Sequence, residues 1–153
     1  MEETFPIRVG VNAVIVSDDR LLAVRFDGET GLHYNLPGGG VDAGERIPDA
    51  LRREVREETT ATVEVGNLAF VHEYHPPSHR GNYGSVHKLT LFFHCELQSG
   101  PAPTMPVTPD HNQVGVEWLP LATIEEYPLL PTLGTEWRAI VDSQTGARYR
   151  EDG

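Results

Sequence analysis

The sequence predicts an α+β fold in which a mixed sheet packs against helices. Three observations predict it. Two apolar runs joined by a polar tetrapeptide open the chain; one amphipathic helix follows a glycine-rich turn; further strand-like runs come after that helix. An all-helical or all-strand chain leaves one of the three unexplained.

The first run, residues 7–16, places Ile7, Val9, Val11, Ala13 and Ile15 on one face, and Ser17-Asp18-Asp19-Arg20 turns it into LLAVRF, which predicts a hairpin. HYNLPGGGVDAGE follows and is dense in turn residues, so its backbone can approach a ligand closely. Residues 47–59 set Ile47, Ala50, Leu51 and Val55 on one stripe, an amphipathic helix with Pro48 in its first turn and Asp49 at the positive end of its dipole. No Ser or Thr stands at its N-cap, Arg46. Strands are expected at 68–74 and 86–97, the second with Leu89, Leu91, Phe93, Cys95 and Leu97 on one face. A short strand GVEWLPL, a helix over 132–141 and a loosely held polar tail, 143–153, complete the reading. The 153 residues suit a single domain, 1–153.

The 23 acidic against 12 basic side chains give a net charge of -11, a field that repels nucleic-acid polymers and anionic lipid. A phosphate ligand would need a local device, a divalent cation or arginines in the site. No stretch approaches the roughly 20 apolar residues of a membrane helix, and the acidic N-terminus has no apolar leader core, so a cytoplasmic protein is expected. The one cysteine, Cys95, fits a reducing compartment.

On the central helix Glu54, Glu57 and Glu58 fall at i, i+3 and i+4, three like charges on one face whose repulsion a cation would relieve. Hard oxygen donors suit Mg²⁺ or Mn²⁺. A solvated acidic face neutralised by Arg52, Arg53 and Arg56 is the competing explanation. The segment as a whole decides between them. Gly39, Glu45, Arg53, Glu54, Val55, Glu57 and Glu58 stand at the spacing of the signature of the Nudix hydrolases, which GGVDAGERIPDALRREVREETTA resembles. YNLPGG and VEWLPL also resemble family features, and the order of strands fits the family's α/β/α sandwich, a mixed sheet flanked by helices. Thr60 stands where the family usually has glycine; a β-branched residue disfavours a left-handed cap there, which predicts that the helix ends by another route.

The resemblance implies a MutT-like nucleoside diphosphate-X pyrophosphohydrolase, with metal-assisted attack of water on phosphorus in a small nucleotide diphosphate derivative. It implies that Glu54, Glu57 and Glu58, with the Gly38 carbonyl, hold Mg²⁺ or Mn²⁺, that Arg53 and Glu45 pair to orient the glutamates, and that a homodimer is possible. The general base is a helix glutamate or a later acid such as Asp110 or Glu117. Arg25, Tyr34 and Arg80 are candidate substrate contacts, the last on a loop, 75–85, that borders the site. Five histidines, His72, His75, His79, His87 and His94, invite a zinc reading that strand alternation and the lack of cysteine partners disfavour. The rival to an enzyme is a catalytically silent module that keeps the fold for nucleotide binding or regulation.

Overall fold

The structure, a computed structural model, describes residues 6–29, 31–76, 86–143 and 148–151. β1 (Arg8–Ser17) and β2 (Arg20–Gly28) form the expected hairpin, with Val16 opposite Leu21 and Ser17 opposite Arg20. The two intervening residues, Asp18 and Asp19, take φ 51° and 57°. A two-residue turn with both φ positive matches the strand twist, and aspartate tolerates that region better than most side chains.

The glycine-rich stretch is more ordered than a turn. β3 (Gly31–Asn35) pairs with β2, and β4 (Gly38–Gly40) pairs with Gly10, Val11 and Asn12 of β1. A Cβ at Gly38 would collide with the Val11 carbonyl and the backbone of Asn12, so only glycine admits this approach. α1 (Ile47–Thr59) has the expected bounds. Its end differs from expectation: Thr60 does adopt the left-handed cap, φ 65°, and its N–H donates to the Arg56 carbonyl at 2.9 Å. The hydrogen bond that closes the helix outweighs the β-branched residue's dislike of that region.

β5 (Val63–Tyr74) starts earlier than residue 68 because two irregularities in its register hide the alternation. Gly66 sits at the first, where a Cβ would stand 2.8 Å from the His94 carbonyl. β6 (Lys88–Leu97) pairs antiparallel with β5 and, from Arg8↔Lys88 to Ile15↔Cys95, parallel with β1. β7 (Gln113–Pro120) pairs with β2; a 3₁₀ turn, Leu121–Glu126, leads to β8 (Leu129–Leu130) beside β3. α2 (Glu136–Asp142) begins later than residue 132, after Pro131 and the positive-φ Gly134. The tail is not wholly loose: β9 (Arg148–Glu151) pairs in parallel with Phe70–Glu73, since backbone ladder bonds need no apolar side chain.

The result is a mixed sheet in the order β8-β3-β2-β1-β6-β5-β9, with β4 beside β1 and β7 beside β2, and a helix on each side. α1 buries Ala50, Leu51 and Val55 against Val11, Ala13 and Ile15, each fully buried leucine or valine contributing about 1.5–3 kcal/mol. α2 buries Trp137 and Ile140 against Val14, Phe70 and Phe92 on the opposite face. Cys95 lies in the α1-side core, its thiol pushed up to about 12 by burial. No helix among the described residues is long and apolar enough to cross a membrane.

Candidate active site

α1 and β4 build the site together. Packing of the helix's apolar stripe on β1 turns Glu54 and Glu58 toward the glycine strand. Glu58 is 5% exposed and its Oε1 accepts the Gly38 N–H at 2.8 Å. The Glu54 carboxylate lies where a Cβ at Gly39 would be, so that glycine makes room for it.

Arg53 is the hub of this arrangement. Its Nε donates to Glu45 Oε2 at 2.8 Å and its Nη2 to Glu45 Oε1 at 2.9 Å, a bidentate pair. Nη2 also donates to the Gly40 carbonyl at 3.1 Å, and Nη1 to Glu54 Oε1 at 2.9 Å and to Glu57 at 3.4 Å. The guanidinium thereby ties helix, strand and connecting loop. It holds the Glu45 carboxyl down to about 2, and Glu45 in return raises the pKa of Arg53.

Ionised together, Glu54, Glu57 and Glu58 would carry more negative charge than Arg53, already shared with Glu45, can balance. Desolvation, joined by Glu54, Asp110 and Glu57, pushes Glu58 up to about 8 despite the Gly38 hydrogen bond. Glu54 is also raised, chiefly by burial, although Arg53 opposes the shift. Asp110 reaches this group by a route the sequence did not display. Gln113, 5% exposed, donates from Nε2 to the Glu58 carbonyl at 2.9 Å, and its backbone N–H donates to the Asp110 carbonyl at 3.0 Å. One buried glutamine thus fixes the loop before β7 against the end of α1.

Among the described residues, no three histidines, cysteines or acids converge closely enough to hold an ion as they stand. Arg53 spans Glu54 and Glu57, and Gly38 holds Glu58. The donor set nevertheless fits a hard divalent cation: oxygen-only, over-charged, and cradled by two glycines that admit no side chain. Glu57, with 55% of its side chain exposed, is free to swing toward its neighbours.

The other sequence candidates lie elsewhere. Arg25 Nη1 pairs with Glu117 Oε1 at 3.4 Å, and Tyr34 Oη donates to Glu117 Oε2 at 2.7 Å, beside Tyr127. Burial and the Glu117 carboxylate push the Tyr34 hydroxyl up to about 12. These side chains stand on the face of β2, β3 and β7 turned away from α1, with Leu21 and Leu119. Arg80 and His79 lie outside the described residues. Of the other histidines, His87 Nε2 meets Glu73 Oε2 at 2.6 Å, while His72 and His94 face the α2 side of the sheet. Burial lowers the pKa of His94.

Beside β4, on the face opposite α1, a cleft of about 610 Å³ runs from Glu58 and Gly38 past Asn12 and Phe26 to Arg8 and Lys88. Its floor includes Phe92, and the Phe26 and His33 rings stack at its side with centroids 5.5 Å apart.

A family model described as the NUDIX domain matches residues 6–140. The NAD-capped RNA hydrolase NudC of Pseudomonas aeruginosa is 31% identical over 110 residues, which are 71% of this chain and 34% of that protein. An ADP-ribose pyrophosphatase of Methanocaldococcus jannaschii is 30% identical over 97 residues, 60% of this chain and 55% of that one. The match therefore spans only a third to about half the length of these curated relatives. The crystal structure of a MutT NUDIX hydrolase from Burkholderia pseudomallei superimposes with a TM-score of 0.66 at 27% identity, covering 92% of this chain and 99% of that chain.

Proposed function

The chain belongs to the Nudix hydrolase family, and from that premise we propose that it hydrolyses a phosphoanhydride bond in a nucleoside diphosphate linked to another moiety, by divalent-metal-assisted attack of water on phosphorus. The observation that carries the reading is the buried, over-charged Glu54–Glu58 pair set against Gly38 and Gly39 and oriented by Arg53. A structural salt-bridge network does not gather four acids, Asp42, Glu45, Glu54 and Glu57, around one arginine and leave a fifth, Glu58, buried beside a backbone amide.

Glu54, Glu57 and Glu58 would hold Mg²⁺ or Mn²⁺, with the Gly38 carbonyl as a further donor. When bound, the cation neutralises the diphosphate and makes water a better nucleophile at neutral pH. Arg53, anchored by Glu45, fixes the carboxylate rotamers, so that little ordering is left for the moment of reaction. Asp110 takes the proton of the attacking water on a carboxylate oxygen. It feels Glu54 and Glu58, whereas Glu117 is committed to Tyr34 and Arg25. The cleft beside β4 receives the rest of the nucleotide.

The names of these relatives point to NAD-capped RNA and ADP-ribose as substrates of this kind. A net charge of -11 favours a free small nucleotide over an RNA chain. The test is product release from nucleoside triphosphates, ADP-ribose, nucleotide sugars and dinucleotides, each in Mg²⁺, Mn²⁺ or EDTA. Turnover of at least one, abolished by EDTA, is expected. The second readout is a rise in melting temperature on adding Mn²⁺ that Glu58→Gln abolishes. Turnover that ignores EDTA, or none across the panel, overturns the reading.

A further inference from the structure

We propose that Arg8 and Lys88 form an anion site at the far end of this cleft, which takes a phosphoryl group of the substrate beyond the diphosphate handled at Glu54–Glu58. The inference rests on the reading of that carboxylate face as the diphosphate end.

Register brings the two cations together. Arg8 and Lys88 are direct partners in the parallel β1–β6 ladder, on neighbouring strands about 4.8 Å apart. Both are exposed and line the cleft, and Lys88 is the one lysine in the sequence. Among the described residues neither side chain makes an ion pair or hydrogen bond, while Arg25, Arg52, Arg53 and Arg138 each hold a carboxylate. Like charges set side by side across a ladder oppose folding, and the chain has 23 acids with which to neutralise them. The nearest acid on β5, Glu73, is on the other face of the sheet with His87.

Two glycines give the arginine its path. Gly10 lies between Arg8 and Asn12 on the cleft face, and without a side chain it leaves the surface open toward β4. The Arg8 guanidinium ends over Gly40, with Nη2 3.1 Å from where a Cβ would stand. From Gly40 to Gly38, where Glu58 is held, is two residues, about 7 Å of strand. The cleft is thus polarised, with the Glu58 carboxyl at one end and two unpaired cations one short step away. That pattern matches a ligand whose first phosphates meet a cation bound by the glutamates and whose further phosphoryl group meets arginine and lysine directly.

The phosphoryl group has two chemical sources, the end of a polyphosphate chain or a monoester on the ribose. Isothermal titration in EDTA with ATP, ADP-ribose and ADP-ribose 2′-phosphate separates them and does not depend on turnover. The wild-type protein is expected to bind ATP or the 2′-phosphate at least tenfold more tightly than ADP-ribose. Preference for ATP identifies the chain end, and preference for the 2′-phosphate the monoester. The double variant Arg8→Gln, Lys88→Gln should reduce that preference to within twofold, Lys88→Arg should keep it, and melting temperatures should stay within a few degrees because both residues are exposed. A wild-type protein that does not discriminate, including one that binds none of the three, or a preference that survives the double variant, overturns the proposal. Glu58→Gln tests the other end: its turnover reports on the carboxylate reading, and its EDTA binding preference should match wild type.

Discussion

Two arginine networks sit on opposite faces of one sheet, and they differ in charge balance. Arg25 meets one carboxylate, Glu117, whose other oxygen is satisfied by Tyr34; one positive charge, one negative charge and a phenol close the set. Arg53 meets Asp42, Glu45, Glu54 and Glu57, with Glu58 and Asp110 within electrostatic reach, six acids and so five more than one arginine neutralises. A balanced network holds structure together. An unbalanced one stores repulsion that a ligand can relieve, which makes surplus charge a better marker of function than the presence of an ion pair.

The comparison breaks hardest at Glu58. Removing its charge by Glu58→Gln keeps the shape and one acceptor for Gly38 N–H, so turnover of the best panel substrate should fall about a hundredfold or more with the fold intact. Glu57→Gln should lose turnover in the same direction. Steady-state kinetics and circular dichroism check both. Wild-type rates in the two variants would make the unbalanced network merely structural.

Next in size is a pH effect with a definite sign. The Glu58 carboxyl is raised from 4.5 to about 8 in the metal-free fold, so the folded state holds a proton that the unfolded chain has released. Its stabilising contribution is complete below about pH 4.5 and is lost as pH rises toward 8. Melting curves in EDTA should show stability falling across that window, and Glu58→Gln should flatten the slope. Added Mg²⁺ competes with the proton, so its stabilising shift should be larger at pH 8 than at pH 6. A Mg²⁺ shift that does not change with pH would separate the ion from Glu58.

The balanced network should respond in stability instead. Tyr34→Phe removes a hydrogen bond to a half-exposed carboxylate and should cost about 1 kcal/mol in urea unfolding. Glu117→Gln should leave kcat within about threefold of wild type, whereas Asp110→Asn should lower it tenfold or more. The reverse ranking would move the base to the far face of the sheet.

Local signals account for what the sequence disclosed. The stripe Ile47, Leu51, Val55 gave α1 its bounds, and the resemblance to the Nudix signature anticipated the pairing of Glu45 with Arg53. The hidden parts depend on partners distant in sequence. β4 is three glycines, with no side chains to alternate, and becomes a strand because β1 lies beside it. Arg8 and Lys88 meet through a parallel ladder that no local pattern announces. Asp110 is felt by Glu54 and Glu58 across the loop that Gln113, unremarkable in the sequence, ties to the end of α1. α2 starts late because Pro131 and Gly134 precede it, a punctuation legible in principle that the apolar positions Leu133 and Trp137 outweighed.

The smallest expected effect lies where the unbalanced network meets the helix end. Thr60 holds φ 65° and its Oγ1 is buried without a hydrogen-bond partner among the described residues, so the cap carries backbone strain and an unsatisfied hydroxyl. Glycine relieves both and retains the N–H that donates to Arg56, at the cost of a more flexible unfolded chain. Thr60→Gly should therefore stabilise by about 1 kcal/mol in urea unfolding, with kcat and metal dependence unchanged, because the residue contributes no ligand and the Glu58 carbonyl stays fixed by Gln113. A drop in turnover alongside the gain in stability would show that strain at the helix end helps set the Glu58 carboxylate, and would tie the cap to the charged face it closes.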